Sequence, residues 1–147
     1  VVILDGVTDV RNLGAIARSA EASGAHALII PNKKTAQVNA EAIKTSAGAL
    51  SSLPVCRTAS LNNALEYLTM NGVQIIAADL SGKGYLHELD LTLPTAIVMG
   101  AEGEGIRPHI LRQTNHRFRI PMLGTTDSFN VSVAAGIILY ESMRQRL

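Results

Sequence analysis

Short apolar runs alternate with helical stripes along almost the whole chain. Val1-Val2-Ile3-Leu4-Asp5, ended by Gly6, reads as a buried strand. Leu13, Ile16, Ala17 and Ala20 then recur at helical spacing, and Gly24 supplies a stop. Residues 27–30, just before Pro31, read as a second strand, 39–47 as a short helix and 53–57 as a third strand. Leu61, Leu65 and Leu68 mark another helix, closed near Gly72. Strands follow at 73–78 and at 96–99, the latter ended by Gly100. Ile110 and Leu111 sit on a short helix after Pro108. Residues 118–120 read as a last strand, 81–84 as an ordinary loop, and a long helix is expected from Ser128 to the C-terminus.

This alternation predicts an α/β fold: a mostly parallel sheet with helices on both faces. Ligands of such sheets bind beyond the carboxyl ends of the strands, so the loops there are the segments to inspect. The length of 147 residues suits one domain, and 47% hydrophobic residues with a mean hydropathy of +0.21 supply ample core. No apolar run is long enough to span a membrane. The excess hydrophobicity suits a self-association surface. The chain begins in a strand-like run without methionine and without a signal-peptide pattern; it reads as cut from something longer, with the missing part upstream.

Net charge is only +1, which gives no bulk electrostatic argument for nucleic acid. Locally, Arg107, His109, Arg112, His116, Arg117 and Arg119 form a basic stretch without an acid, and a solvated helix end accounts for it as charge alone. The single cysteine, Cys56, cannot form an internal disulfide. It is expected as a core residue or strand-end thiol, compatible with a reducing cytoplasm. The four histidines show no metal-ligand spacing with one another or with Cys56. There is no G-x-S-x-G elbow, and 3% aromatic content without tryptophan argues against an extended base-stacking platform.

Three loops stand out. The first, at 9–20, opens a helix. Asn12 there can cap backbone N–H groups or face a ligand, Gly14 lets another backbone come close, and Arg18 points away from the apolar stripe. The second, Met99-Gly100-Ala101-Glu102-Gly103-Glu104-Gly105, follows a strand. Its three glycines suit either a flexible turn or close backbone approach to a ligand. Their spacing is G-x-x-G-x-G, not the dinucleotide G-x-G-x-x-G. The P-loop lysine is absent, and two glutamates would repel a pyrophosphate. The third runs from Ile120-Pro121 through a polar turn to Ser128-Phe129-Asn130. Asp127 or Ser128 is expected as the cap of the last helix, whose wide apolar face must pack against the sheet or a second subunit.

Taken together and in this order, the three loops resemble the motifs of the SpoU/TrmH family of the SPOUT superfamily. Asn12, Gly14 and Arg18 match N-x-G-x-x-x-R. Residues 99–105 match the second motif, and Ile120-Pro121 with 128–134 match the third. The resemblance spans nearly the whole chain and is nearest to the branch that methylates a guanosine of large-subunit ribosomal RNA, with the tRNA guanosine branch also open. It implies a deep trefoil knot in the C-terminal part, a homodimer, and S-adenosyl-L-methionine as methyl donor for a ribose 2′-hydroxyl of RNA. Ribosomal RNA is favoured over tRNA, and no metal or membrane is implied.

By the same resemblance, Met99, Gly100, Ile120, Met122, Phe129 and Asn130 would hold the cofactor. Phe129 departs from the leucine of the family pattern, an apolar enlargement that would alter pocket shape. Arg18 would position the ribose and phosphate and stabilise developing negative charge, since arginine stays protonated to above about pH 12. Asn12, Glu102, Ser128 and Asn130 would orient the acceptor. Residues 1–147 would be the catalytic domain alone, without the N-terminal RNA-binding domain that many members carry. The rival readings are a non-catalytic RNA-binding module with this fold, a Rossmann-type enzyme and a base methyltransferase. The glycine spacing counts against the second, and Ser128-Phe129-Asn130 counts against the third.

Overall fold

The computed structural model describes residues 1–147, with seven parallel strands in one sheet. In chain order the elements are β1 (Val2–Asp5), α1 (Val10–Ala22), β2 (Leu28–Pro31), α2 (Ala40–Thr45), β3 (Val55–Thr58) and α3 (Leu61–Met70). They continue with β4 (Gln74–Ala78), β5 (Gly84–Tyr85), β6 (Thr95–Gly100), α4 (Pro108–Leu111), β7 (His116–Arg119) and α5 (Val131–Arg144). The order across the sheet is β3-β2-β1-β6-β4-β7-β5. β7 therefore lies between two strands that precede it in the chain. In register, Asp5 of β1 stands beside Gly100 of β6, so the loops after these strands are neighbours.

Both faces of the central strands are buried, which is why they read as continuous apolar runs. Val2 and Leu4 of β1, Ile76 of β4, and Ile97 and Met99 of β6 face one core. It is completed by Leu13, Ile16, Ala17 and Ala20 of α1 and by Ala135, Ile138 and Leu139 of α5. Ile3, Ile75, Ala77, Ala96 and Val98, at the alternate positions, face a smaller core with Leu61 and Leu65 of α3 and Ile110 of α4. Each fully buried leucine or isoleucine contributes about 1.5–3 kcal/mol. Gly14 serves this packing. A Cβ there would lie 2.7 Å from the Ala42 carbonyl oxygen and 2.8 Å from Thr45 Cβ, so only glycine lets α2 cross α1 so closely.

The last helix is fastened at its far end. The Gln145 side chain accepts from the Leu91 N–H at 2.8 Å and donates to the Leu89 carbonyl at 3.1 Å. Hydrogen bonds from Arg144 and Gln145 hold the Glu141 carboxyl well below its ordinary value, at about 2.

Four expectations are corrected. The last helix starts at Val131, and its cap is Asn130 rather than Asp127 or Ser128. Gly84–Tyr85, which takes the last residue of the expected loop, forms a short edge strand against β7. The final strand ends at Arg119, which leaves Ile120 in the loop beyond it. Cys56 is exposed, because β3 is the other edge of the sheet.

Candidate active site

A cavity of about 730 Å³ opens at the carboxyl ends of β4, β6 and β7. Its walls are residues 78–81, 99–106 and 118–120 with Met122, and the lead into α5 from Asp127 to Val131 with Ala134. The position agrees with the rule for open parallel sheets.

The loop after β6 is shaped by its glycines. Gly103 and Gly105 adopt φ of 81° and 69°, a left-handed region that favours glycine. They fold the loop back so that the Gly105 N–H donates to the Ala101 carbonyl at 2.9 Å. A Cβ on Gly100 would stand 2.2 Å from the Gly105 carbonyl carbon, so any side chain there would burst the loop. The G-x-x-G-x-G spacing thus makes a tight doubled-back loop at the mouth of the cavity.

Asn130 joins three distant segments. Its Oδ1 accepts from the Ser132 N–H at 2.9 Å and the Val133 N–H at 3.4 Å, which caps α5. Its Nδ2 donates to Glu102 Oε1 at 2.7 Å and to Asn12 Oδ1 at 3.2 Å. Asn12 stands in the first turn of α1, whose cap is Asp9. One carboxamide therefore gathers the first helix, the glycine loop and the last helix at the cavity mouth.

Met99, Gly100, Glu102, Ile120, Met122, Ser128, Phe129 and Asn130 all line the cavity. Asn12 reaches its edge through Asn130. Arg18 does not line it: this side chain is exposed on α1 and makes no ion pair within the chain. The sequence reading missed Arg119 as a lining residue. Its guanidinium carbon sits 4.9 Å from the centre of the Tyr85 ring, its Nη2 donates to the Tyr85 hydroxyl at 3.3 Å, and its Nε is buried without an acceptor. The available signal was its place in the basic stretch, immediately before Ile120-Pro121.

The chain matches the SpoU rRNA Methylase family over residues 1–140. It is 44% identical over 144 residues to a 23S rRNA (guanosine-2'-O-)-methyltransferase RlmB of Photorhabdus laumondii, covering 98% of this chain and 59% of that protein. It is 45% identical over 145 residues to an uncharacterized tRNA/rRNA methyltransferase of Mycolicibacterium smegmatis, covering 99% and 46%. The chain thus spans about half the length of the curated relatives it matches. Among solved structures it superposes on the SpoU methyltransferase AviRb of Streptomyces viridochromogenes in complex with AdoMet, with a TM-score of 0.92 and 32% identity, covering 99% of this chain and 59% of that one. The TrmH/SpoU tRNA modifying enzyme of A. aeolicus gives 0.91 and 34%, covering 99% and 74%.

Proposed function

Because this chain belongs to the SpoU rRNA Methylase family, we propose that it transfers a methyl group from S-adenosylmethionine to a ribose 2′-hydroxyl of RNA, a guanosine of large-subunit ribosomal RNA in the first instance. The observation that carries this reading is the meeting of Asn12, Glu102 and Asn130 at the mouth of a cavity sized for a cofactor. The 23S guanosine assignment of the 44% identical relative supports the RNA target. The tRNA-modifying relative in the same fold supports tRNA as the second choice.

The residues present fit the cofactor. The cavity has an apolar wall of Met99, Ile120, Met122 and Phe129, and Gly100 forms a cradle that a Cβ would fill. The unpartnered Arg119 Nε is an unspent donor suited to a carboxylate. When bound, the sulfonium supplies an activated methyl group, leaving orientation and deprotonation of the acceptor hydroxyl as the protein's task. Asn130 holds Glu102 in place, and the second oxygen of Glu102 and the Asn12 side chain present polar groups to the acceptor. The Ser128 hydroxyl, exposed on the cavity wall, adds a further donor or acceptor.

We propose a homodimer built on the exposed apolar side of α5 and its lead-in, where Phe129, Val133 and Tyr140 are 39%, 51% and 59% exposed. Arg18, outside the cavity of its own protomer, has a route to a reacting site across such an interface, where it would stabilise charge developing on the 2′-oxygen. The trefoil knot is part of the same proposal, and the interior position of the late strand β7 supports it. We propose a cytoplasmic location on the strength of the ribosomal RNA target; no helix is long and apolar enough to cross a membrane.

The deciding experiment incubates the protein with methyl-labelled S-adenosylmethionine and either total rRNA or tRNA, then maps nuclease-resistant dinucleotides. Label in such a dinucleotide of rRNA is the expected result. Label only in bases, or none in either RNA, overturns the reading.

A further inference from the structure

A second cleft, of about 920 Å³, lies beside the first over the carboxyl ends of β1, β2, β3 and β6. The two share Ala101, Glu102, Glu104 and Gly105, so the glycine loop is the wall between them. Their chemistry differs. Half of the residues around the first are hydrophobic, but only 3 of 17 around the second. The methyl-transfer reading gives no role to this second cleft.

Its charges are arranged by side. Glu102 and Glu104 stand on the shared wall, while Lys33, Lys34 and Arg107 line the rest. Lys33 and Lys34 are exposed in the loop after β2 and are not in ion pairs. Arg107 is fixed from below. The Asp5 carboxylate, 1% exposed, accepts from the Arg107 backbone N–H and from its Nε, both at 2.8 Å. That clamp uses one edge of the guanidinium and leaves both Nη groups free of intramolecular hydrogen bonds on a side chain 52% exposed. A guanidinium held in this way has lost little of its fork geometry and suits an oxyanion presented from the cleft.

We infer that this cleft seats the RNA strand that carries the acceptor ribose, with Arg107, preset by Asp5, gripping a backbone phosphate next to the target nucleotide. The inference rests on the methyl-transfer reading. Lys33 and Lys34 add charge along the same strand. The acidic shared wall then faces the ribose hydroxyls, and the basic side faces the phosphates. A target strand in this cleft meets the cofactor cavity at Glu102, the one acidic side chain of the shared wall tied to Asn130.

The test measures binding of deproteinised bacterial large-subunit rRNA over a salt series, with S-adenosylmethionine binding followed separately by calorimetry. Arg107→Gln is expected to weaken RNA binding about tenfold and to lower the slope of log K against log salt by about one. Arg107→Lys should restore the slope but only part of the affinity, because it keeps the charge and loses the fork. Replacing the Arg107 side chain also leaves the buried Asp5 with the backbone N–H but no ionic partner, so the Lys33→Gln/Lys34→Gln double variant gives a reading that leaves the core untouched. It should lower the slope by up to about two while cofactor affinity stays within about twofold. Unchanged RNA affinity and slope in the double variant and in Arg107→Gln overturn the inference. Failure of the unsubstituted chain to bind S-adenosylmethionine would instead sink the methyl-transfer reading and with it the acceptor ribose, and a slope lowered by the variants would then support only RNA binding in the cleft.

Discussion

The N-termini of α1 and α5 are capped by chemically similar side chains that do different things. Asp9 spends one carboxylate oxygen on its own helix, accepting from the Arg11 and Asn12 N–H groups at 2.7 and 3.1 Å. Asn130 caps α5 with its oxygen and has a nitrogen left over, which it gives to Glu102 and Asn12. A carboxylate at 130 could cap equally well but could not donate. The first cap is local stability. The second is stability and assembly of the site in one side chain.

The sharpest way to break this comparison is Asn130→Asp. The cap survives, but the two donated bonds vanish and a carboxylate faces Glu102. Methyl transfer should fall about 100-fold or more, while the melting temperature shifts little. A variant that keeps near-normal turnover would end the distinction between the two caps. Arg18→Ala, which touches neither cap, should retain fold and cofactor affinity and lose most methyl transfer, as single-turnover assays would reveal; normal turnover removes Arg18 from the chemistry. Next in size, Asp9→Ala should cost about 1 kcal/mol by denaturant unfolding, with turnover per folded molecule held.

The smallest effect belongs to the far end of α5. Glu141→Gln should cost less than about 1 kcal/mol near neutral pH, because its partner Arg144 is more than half exposed to water, which screens the pair. The sign follows from a carboxyl held at about 2 when folded against an ordinary 4.5. Its contribution is complete above 4.5 and fades as pH falls toward 2. Unfolding curves of variant and parent should therefore converge on acidification.

The hydrophobic pattern made six of the seven strands legible because the central ones are buried on both faces. Gly84–Tyr85 escaped because two residues carry no period. Cys56 was misjudged because Val55-Cys56 looks like a core strand, and only the sheet order reveals an edge. The start of α5 was placed three residues early. Asp127 and Ser128 have good capping side chains, but the backbone turns helical only after Asn130, the residue with partners on both sides. Of the first cavity, Met99, Gly100, Glu102, Ile120 and Met122 were readable as lining residues, since their loops follow β6 and β7. The second cleft was not, because it depends on which loops the register sets side by side: Asp5 beside Gly100 and, through Asp5, Arg107.

The bond between Asn12 and Asn130 spans 118 positions of the chain, and the clamp of Asp5 on Arg107 spans 102. Contacts of such range form late, because loop closure must come before they give any return. During synthesis, the first helix and the glycine loop emerge before the residue that joins them. A nascent or truncated chain lacking residue 130 therefore holds the parts of a site without the site, and activity becomes a report that folding has finished.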